Sequence, residues 1–297
     1  MRKINFLLYR LKWYLAPYFN FKAPVHVDIE LTSVCNLSCI FCHQKNRKYK
    51  LGTMSFDKVK DILQQCYELG VKSVKFNWRG ESTLHKNFPE ILELAHNYGF
   101  FIYCNTNLYV TDEGRLLGAL AKWVDVLKVS IDTMQHHAYR NIRKGSNLST
   151  VITNLMTVAK LRRQYKMSPV IVSRRTIPKM ETDKEFKSWF IKSSEKFKFD
   201  IRPAMPRNKS NIFGKQKERK RKYCGQPSRR LVIGWDGKVF PCCVAYNEPR
   251  KLCLITNSDI NAAWKNGNRD YIIYALKNNY FDGLEDCKNC TSKDAYK

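Results

Sequence analysis

The stretch 25-VHVDIELTSVCNLSCIFC-42 sets the fold. Val25–Leu31 has the valine and isoleucine content of a β-strand, and it runs straight into a loop carrying Cys35, Cys39 and Cys42. The same order then repeats along the chain. Helices are expected at Phe56–Leu69 (opened by Ser55 as N-cap), Phe88–Tyr98 (closed by Gly99), Asp112–Lys122, Leu148–Tyr165 and Asp183–Lys198. Strands are expected at Val71–Trp78, Phe101–Asn105, Val124–Ile131, Val170–Thr176 and Phe199–Pro203. Strand–helix alternation at this spacing means right-handed βαβ units and a parallel sheet. Six such units are too few for a closed eight-fold barrel. They predict an α/β fold, a partial (β/α)6 barrel with its site at the carboxyl ends of the strands. A doubly wound sheet is the alternative, but no phosphate-binding GxGxxG follows the first strand.

At 297 residues, the chain has room for one large domain and a small one. Its 53 Lys+Arg against 26 Asp+Glu give a formal net charge of +27. That charge is either a lysine-rich surface or a partner preference for an anionic substrate, an acidic protein, nucleic acid or anionic lipid. Residues 4–15 predict a basic amphipathic helix with Ile4, Leu7, Leu8, Leu11, Tyr14 and Leu15 on one face. A cap on the bottom of the main domain is preferred for this helix over a membrane-surface contact. The apolar run is broken by Arg10 and Lys12, too short to span a bilayer, and no small-residue cleavage site follows. The expected location is therefore cytoplasmic. Eleven cysteines in such a chain point to metal rather than disulfides. Residues 207–230 hold ten Lys/Arg and one acidic residue and read as an exposed junction. The expected division is 1–22, an N-terminal basic amphipathic segment; 23–206, the partial barrel; 207–223, a basic linker; and 224–297, a cysteine-bearing unit.

Thiolates are soft ligands that select zinc or iron–sulfur. His43 beside the first cysteine cluster keeps a zinc site open as a reading. Three cysteines on a four-iron cluster instead leave one iron free to do chemistry. The Cys35-x3-Cys39-x2-Cys42 spacing, Phe41 before the last cysteine, and the position after strand one resemble the radical S-adenosylmethionine (SAM) superfamily. That resemblance implies a catalytic [4Fe-4S] cluster on Cys35, Cys39 and Cys42, with SAM chelated by the open iron and cleaved to a 5′-deoxyadenosyl radical. It also implies cofactor contacts at the ends of later strands. Arg79-Gly80-Glu81 is similar to a GGE-like motif, with Arg79 replacing the first glycine; Gly80 would let the backbone approach SAM and Glu81 would sit near its ammonium group. Asn105-Thr106-Asn107 is similar to a TNG-like segment, with Leu108 replacing the glycine, and carries Asn107 over as a contact. Ser130-Ile-Asp132 is similar to S-[IL]-D, Ser130 facing the cofactor and Asp132 ordering the loop. The glycine-rich motif usual on strand five is not visible in Val170–Ile177.

The C-terminal unit holds Cys224, Cys242, Cys243, Cys253, Cys287 and Cys290. Asp236-Gly237 predicts a hairpin that returns Cys242 toward Cys224, and Cys287-x2-Cys290 closes a four-thiolate site. Spacing alone leaves zinc and iron–sulfur open. The order resembles the SPASM/twitch auxiliary domain of radical SAM enzymes. The resemblance implies an auxiliary [4Fe-4S] cluster on Cys224, Cys242, Cys287 and Cys290, and an Ile260…Trp264…Arg269 helix. The single cluster looks like that of 2-deoxy-scyllo-inosamine dehydrogenase-type enzymes. Cys66 and Cys104 read as core, and Cys243 and Cys253 as core or substitute ligands.

A fully ligated auxiliary cluster suits electron transfer. The expected function is a radical SAM oxidoreductase acting on a small molecule or sugar, with a peptide or protein maturase as the alternative. A flavodoxin or ferredoxin is the expected electron donor. The rival of a different class is a zinc-bearing nucleic-acid-binding protein. No RNA-binding motif supports that rival, and no single side chain stands out as acid or base.

Overall fold

The computed structural model describes residues 2–47, 49–111, 114–177, 180–203, 223–243, 253–254, 256–288 and 290. The chain opens with α1 (Arg2–Leu15) and β1 (His26–Ile29), then the two-residue β2 (Ser38–Cys39). The repeating part follows: α2 (Phe56–Glu68), β3 (Ser73–Lys75), α3 (Phe88–Asn97), β4 (Phe101–Thr106), α4 (Gly114–Trp123) and β5 (Val126–Ser130). It continues through α5 (His136–Ile142), β6 (Arg143–Lys144), α6 (Leu148–Gln164), β7 (Val170–Thr176), α7 (Asp183–Ile191) and β8 (Phe197–Pro203). The C-terminal part contributes β9 (Arg230–Ile233), β10 (Val239–Phe240), α8 (Ile260–Trp264), α9 (Gly267–Lys277) and α10 (Glu285–Lys288).

The main sheet runs β10-β9-β1-β3-β4-β5-β7-β8. Its six expected strands lie side by side in chain order, and every neighbouring pair among them is parallel. A doubly wound sheet would reverse its order at a switch point; this one does not, so it is the open barrel that the strand–helix alternation predicts. The hairpin β9–β10 joins the same sheet, with β9 parallel to β1 from His26↔Arg230 to Ile29↔Ile233.

Strand alternation divides the side chains. Val27, Ile29, Val74, Ile102, Cys104, Leu127, Val129, Val170 and Val172 are fully buried beneath the helices, with Cys66 of α2 among them. The opposite face is polar. Asp28 holds Lys75 at 3.3 Å and Arg230 at 2.8 Å, and Lys128 reaches Asp200 at 2.8 Å. Burial alone would raise the Asp28 carboxyl, but Lys75 and Arg230 outweigh it and hold the group well below the carboxylate range. The barrel therefore has a hydrocarbon outer layer and an ionic interior.

Local signals explain the helix starts. Ser55 accepts from the Lys58 N–H at the head of α2, and Thr182 with Glu185 forms a capping box at α7. The expected helix Asp183–Lys198 stops at Ile191, and β8 begins at Phe197. The cause is a period-two pattern: Phe197 and Phe199 pack on the core, while Asp200 turns to Lys128. The N-terminal helix sits against the amino end of the barrel, as the cap reading expects, and it does so by a stripe other than the Leu7–Leu11 face. Phe6, Tyr9 and Trp13 point inward: Phe6 lies 4.7 Å from the Phe101 ring, and Trp13 lies 5.9 Å from His26. Large aromatic rings match the open rings at the barrel floor better than leucine does, so the leucine face is turned out. The basic linker at 207–223 falls almost wholly outside the described residues.

Candidate functional site

The first cysteine loop is fixed by contacts from three later strand ends. Cys39 is buried on β2, which pairs antiparallel with β6 (Cys39↔Arg143), and Cys35 and Cys42 are half-buried. The Cys42 N–H turns back to the Cys39 carbonyl at 3.1 Å. After β3, the Glu81 N–H donates to the Val34 carbonyl at 2.9 Å. A Cβ on Gly80 would run into the backbone of Thr32, Ser33 and Val34, so only glycine permits this approach. After β4, Asn107 Nδ2 donates to Asn36 Oδ1 at 2.9 Å. After β5, Asp132 accepts from Arg143 Nε at 2.8 Å and from the Arg175 N–H at 2.8 Å. Arg143 in turn places Nη1 3.9 Å from Cys39 Sγ and its guanidinium 5.6 Å from the Phe41 ring.

The charges follow from this packing. Burial raises Glu81 above the ordinary carboxylate value, although the Asn107 N–H (2.7 Å), Thr106 Oγ1 (2.8 Å) and Thr83 Oγ1 (3.0 Å) all donate to it. The Glu81 oxygens thus organise the β4 turn. Burial, with Glu81 nearby, pushes the Cys35 thiol up to about 12. Burial opposes the Arg143 charge, but Asp132 and Cys39 overcompensate and hold it above its ordinary range. Ser130 is half-buried at the end of β5, opposite Ser173. Leu108, where the family pattern has glycine, adopts a left-handed φ of 55° and is fully buried. Arg79, at the other departure, forms a two-pronged ion pair with Glu30 at 2.7 and 2.6 Å. Its guanidinium lies 4.1 Å from both the Tyr49 and Trp78 rings. It anchors the loop from below, a role that needs a side chain and not a glycine.

Of the four expected auxiliary ligands, Cys224 and Cys287 pack, together with Cys243 and Cys253, on a separate apolar cluster of Trp78, Val232, Phe240, Ile272, Ala275, Leu276 and Leu284, while Cys242 and Cys290 are not part of it. The hairpin turn at Gly237 has φ 88°, and β10 ends at Phe240, two residues before Cys242. A hydrogen bond with Cys242, with Arg230 nearby, lowers the half-buried Cys243 thiol below its ordinary value. The Cys290 N–H donates to the Cys287 carbonyl at 3.3 Å. The expected Ile260…Trp264…Arg269 helix is split, because Asn266 caps a new helix: Ile260 and Trp264 lie in α8 and Arg269 in α9, where its guanidinium sits 3.5 Å above the Trp264 ring and donates to the Pro227 carbonyl at 3.0 Å. Trp78 links the two regions: it precedes Arg79-Gly80-Glu81, and its Nε1 donates to the Cys243 carbonyl at 2.9 Å.

Residues 29–190 match the radical SAM superfamily, and residues 224–291 match the SPASM iron–sulfur cluster-binding domain. The chain belongs to the radical SAM superfamily. As a radical SAM enzyme it takes S-adenosylmethionine and a [4Fe-4S] cluster, and its SPASM domain takes auxiliary iron–sulfur. This sets aside the zinc-protein rival. The donor chemistry fits: no described cysteine is tied up in a disulfide, and thiolates are soft ligands that suit iron–sulfur. Among the described residues, no three Cys, His, Asp or Glu side chains are drawn together as around a single metal ion.

The fold overlays BtrN, solved with AdoMet and 2-DOIA, at TM-score 0.60 and 18% identity over 91% of this chain and 93% of that one. It overlays anSMEcpe with bound AdoMet at TM-score 0.62 and 16% identity, over 92% and 88%. Streptococcus suis SuiB gives TM-score 0.52 and 15% identity, over 82% of this chain and 63% of that one. Among curated proteins, a probable GTP 3′,8-cyclase of Pyrococcus abyssi is 29% identical over 158 residues, 51% of this chain and 49% of the relative. One from Methanococcus maripaludis is 30% identical over 129 residues, 41% of each. The chain thus spans about half the length of the first of these relatives, or less.

Sequence reading missed Arg143 and Glu30. Both act through partners more than ten residues away, and neither belongs to a short motif.

Proposed function

We propose that this radical SAM enzyme oxidises a small polyol or sugar-like molecule by two electrons. Cys35, Cys39 and Cys42 hold the catalytic cluster; Cys224, Cys242, Cys287 and Cys290 hold one auxiliary cluster that accepts an electron. When bound, the first cluster and SAM supply the group that abstracts a hydrogen atom. A substrate C–H then gives up its hydrogen atom, the adjacent O–H releases its proton to solvent, and the remaining electron passes to the auxiliary cluster. On this reading Gly80, Glu81 and Asn107 shape the SAM pocket through the cysteine loop. Ser130 faces it from β5, and Asp132 orders it through Arg143 and Phe41.

The observation that carries the reading is the sheet. β1 ends in the first cysteine loop, and its direct parallel neighbour β9 leads through the hairpin to Cys242. Trp78 bridges the same two regions. Supporting it, the overlay covers 93% of BtrN, which is solved with 2-DOIA; it also covers 88% of anSMEcpe, which is solved with a Kp18Cys peptide, and this keeps a peptide or protein maturase as the second reading. An acidic flavodoxin or ferredoxin in the reducing cytoplasm suits the net charge of +27.

The test is anaerobic incubation of the holoenzyme with SAM, dithionite and a panel of carbon-deuterated cyclic polyols and amino sugars. The expected result is deuterium in 5′-deoxyadenosine with a carbonyl product. A peptide cross-link from a parallel peptide panel, or a rearranged product with no net loss of hydrogen, contradicts the proposal.

A further inference from the structure

The N-terminal helix is apolar on two opposite sides, and only one is used by the fold. At about 100° per residue, Phe6, Tyr9 and Trp13 make one stripe, and Leu7, Leu8, Leu11 and Tyr14 make a second on the far side. The first stripe closes the barrel floor against Phe101 and His26. The second faces solvent: Leu7 is 67% exposed, Leu11 56% and Tyr14 58%, and the turn that follows adds Tyr18 at 80% and Phe19 at 58%. Single exposed apolar residues are ordinary, whereas a contiguous set on one helix face marks a contact surface.

The helix cannot roll to hide this stripe. Arg229 Nε donates to the Trp13 carbonyl at 2.8 Å, and the Arg229 and Arg230 guanidinium groups lie 5.3 and 5.0 Å from the Trp13 ring. Trp264 Nε1 holds the Phe21 carbonyl at 2.7 Å. The clamp comes from the C-terminal part of the chain, so the outward direction is built in.

The flanks of the stripe are basic. Arg10 lies on one side and bonds Tyr14 Oη at 2.6 Å; Lys12 lies on the other. The chain as a whole carries +27. Leucines and tyrosines on a plane with cations along both borders match the interface of an anionic bilayer, where the apolar side chains enter the acyl boundary and the cations meet phosphate headgroups. Among the described residues no helix is long and apolar enough to cross a membrane, so such a contact is peripheral. A free peptide of 14 residues would first have to fold. Here the barrel has already folded and oriented the helix, which removes that cost from binding.

We propose that the outward face of α1 docks the enzyme on an anionic membrane surface, with the barrel mouth turned to the opposite side. The test is co-sedimentation of the reconstituted holoenzyme with sucrose-loaded vesicles. One set is phosphatidylcholine alone, and the other is phosphatidylcholine mixed with phosphatidylglycerol. The wild type is expected to pellet with the phosphatidylglycerol vesicles and to be released as sodium chloride is raised. Leu7→Glu/Leu11→Glu should weaken that partition about tenfold or more, while leaving iron content and 5′-deoxyadenosine formation unchanged. Wild-type enzyme left in the supernatant with anionic vesicles overturns the proposal. So does equal binding to both vesicle types at every salt concentration, or undiminished binding by the double variant. A wild-type dimer in sedimentation velocity that the double variant splits would assign the face to a second copy instead, and likewise overturns it.

Discussion

The two cysteine regions solve the same problem in opposite ways. The first packs its ligand candidates into eight consecutive residues, Cys35 to Cys42, and uses its tertiary contacts to hold that loop. Glu81, Asn107 and Arg143 each reach it from a different strand end. The second lays Cys224, Cys243, Cys253 and Cys287, from separated segments, against an apolar cluster around Trp78 and Phe240. A local set tolerates a polar, finely bonded surrounding because chain connectivity already keeps the thiols together. A dispersed set needs hydrophobic packing to gather it. The first region should therefore fail through single hydrogen bonds and close approaches, and the second through loss of packing.

The largest expected effect is in the first region. Cys39→Ala should abolish dithionite-dependent 5′-deoxyadenosine and lower iron from about eight to about four per chain, read by product chromatography and metal analysis. Next is the ion pair beneath the loop. Glu30→Gln leaves the buried Arg79 guanidinium without its counter-charge, and should destabilise the fold by about 3–5 kcal/mol in anaerobic denaturant titration. Gly80→Ala forces a methyl group into the Thr32–Val34 backbone. It should cost about 1–3 kcal/mol and reduce iron at the first cluster more than at the second, read by electron paramagnetic resonance. The smallest effect belongs to the junction. Trp78→Phe keeps the ring contact with Phe240 but removes the donor to the Cys243 carbonyl, at about 1 kcal/mol. If Trp78→Phe destabilised the protein more than Glu30→Gln, the contrast between a bonded region and a packed one would be misplaced.

What could be read from the sequence follows the same division. The parallel sheet, its six strands and the position of Cys35, Cys39 and Cys42 are written in local alternation and short spacing, and the structure has them. Gly80 was singled out by the GGE-like pattern as a close approach to SAM, whereas the close approach in the structure is to the Thr32–Val34 backbone, which no short motif announces. Arg143 was not, because its meaning lies in Asp132 and Cys39, which only the fold brings near. Arg79 departs from the family pattern and proves to be a buried anchor. Its partner Glu30, just past the end of β1, is 49 residues away in the chain and reaches the guanidinium only because β1 and β3 are neighbours in the sheet. The side of α1 that meets the core was not legible for another reason. Periodicity shows which residues share a stripe, but with two apolar stripes it does not say which one meets the core. Shape decided it, through the aromatic floor of the barrel.

The central claim is a division of labour, in which the Cys35–Cys42 loop alone starts the radical chemistry and the C-terminal cysteines serve only the later electron. The most direct measurement is 5′-deoxyadenosine formation by Cys287→Ala enzyme under dithionite, with the first cluster verified intact by electron paramagnetic resonance. The account predicts formation at the wild-type level together with loss of substrate oxidation. Loss of 5′-deoxyadenosine despite an intact first cluster would contradict it.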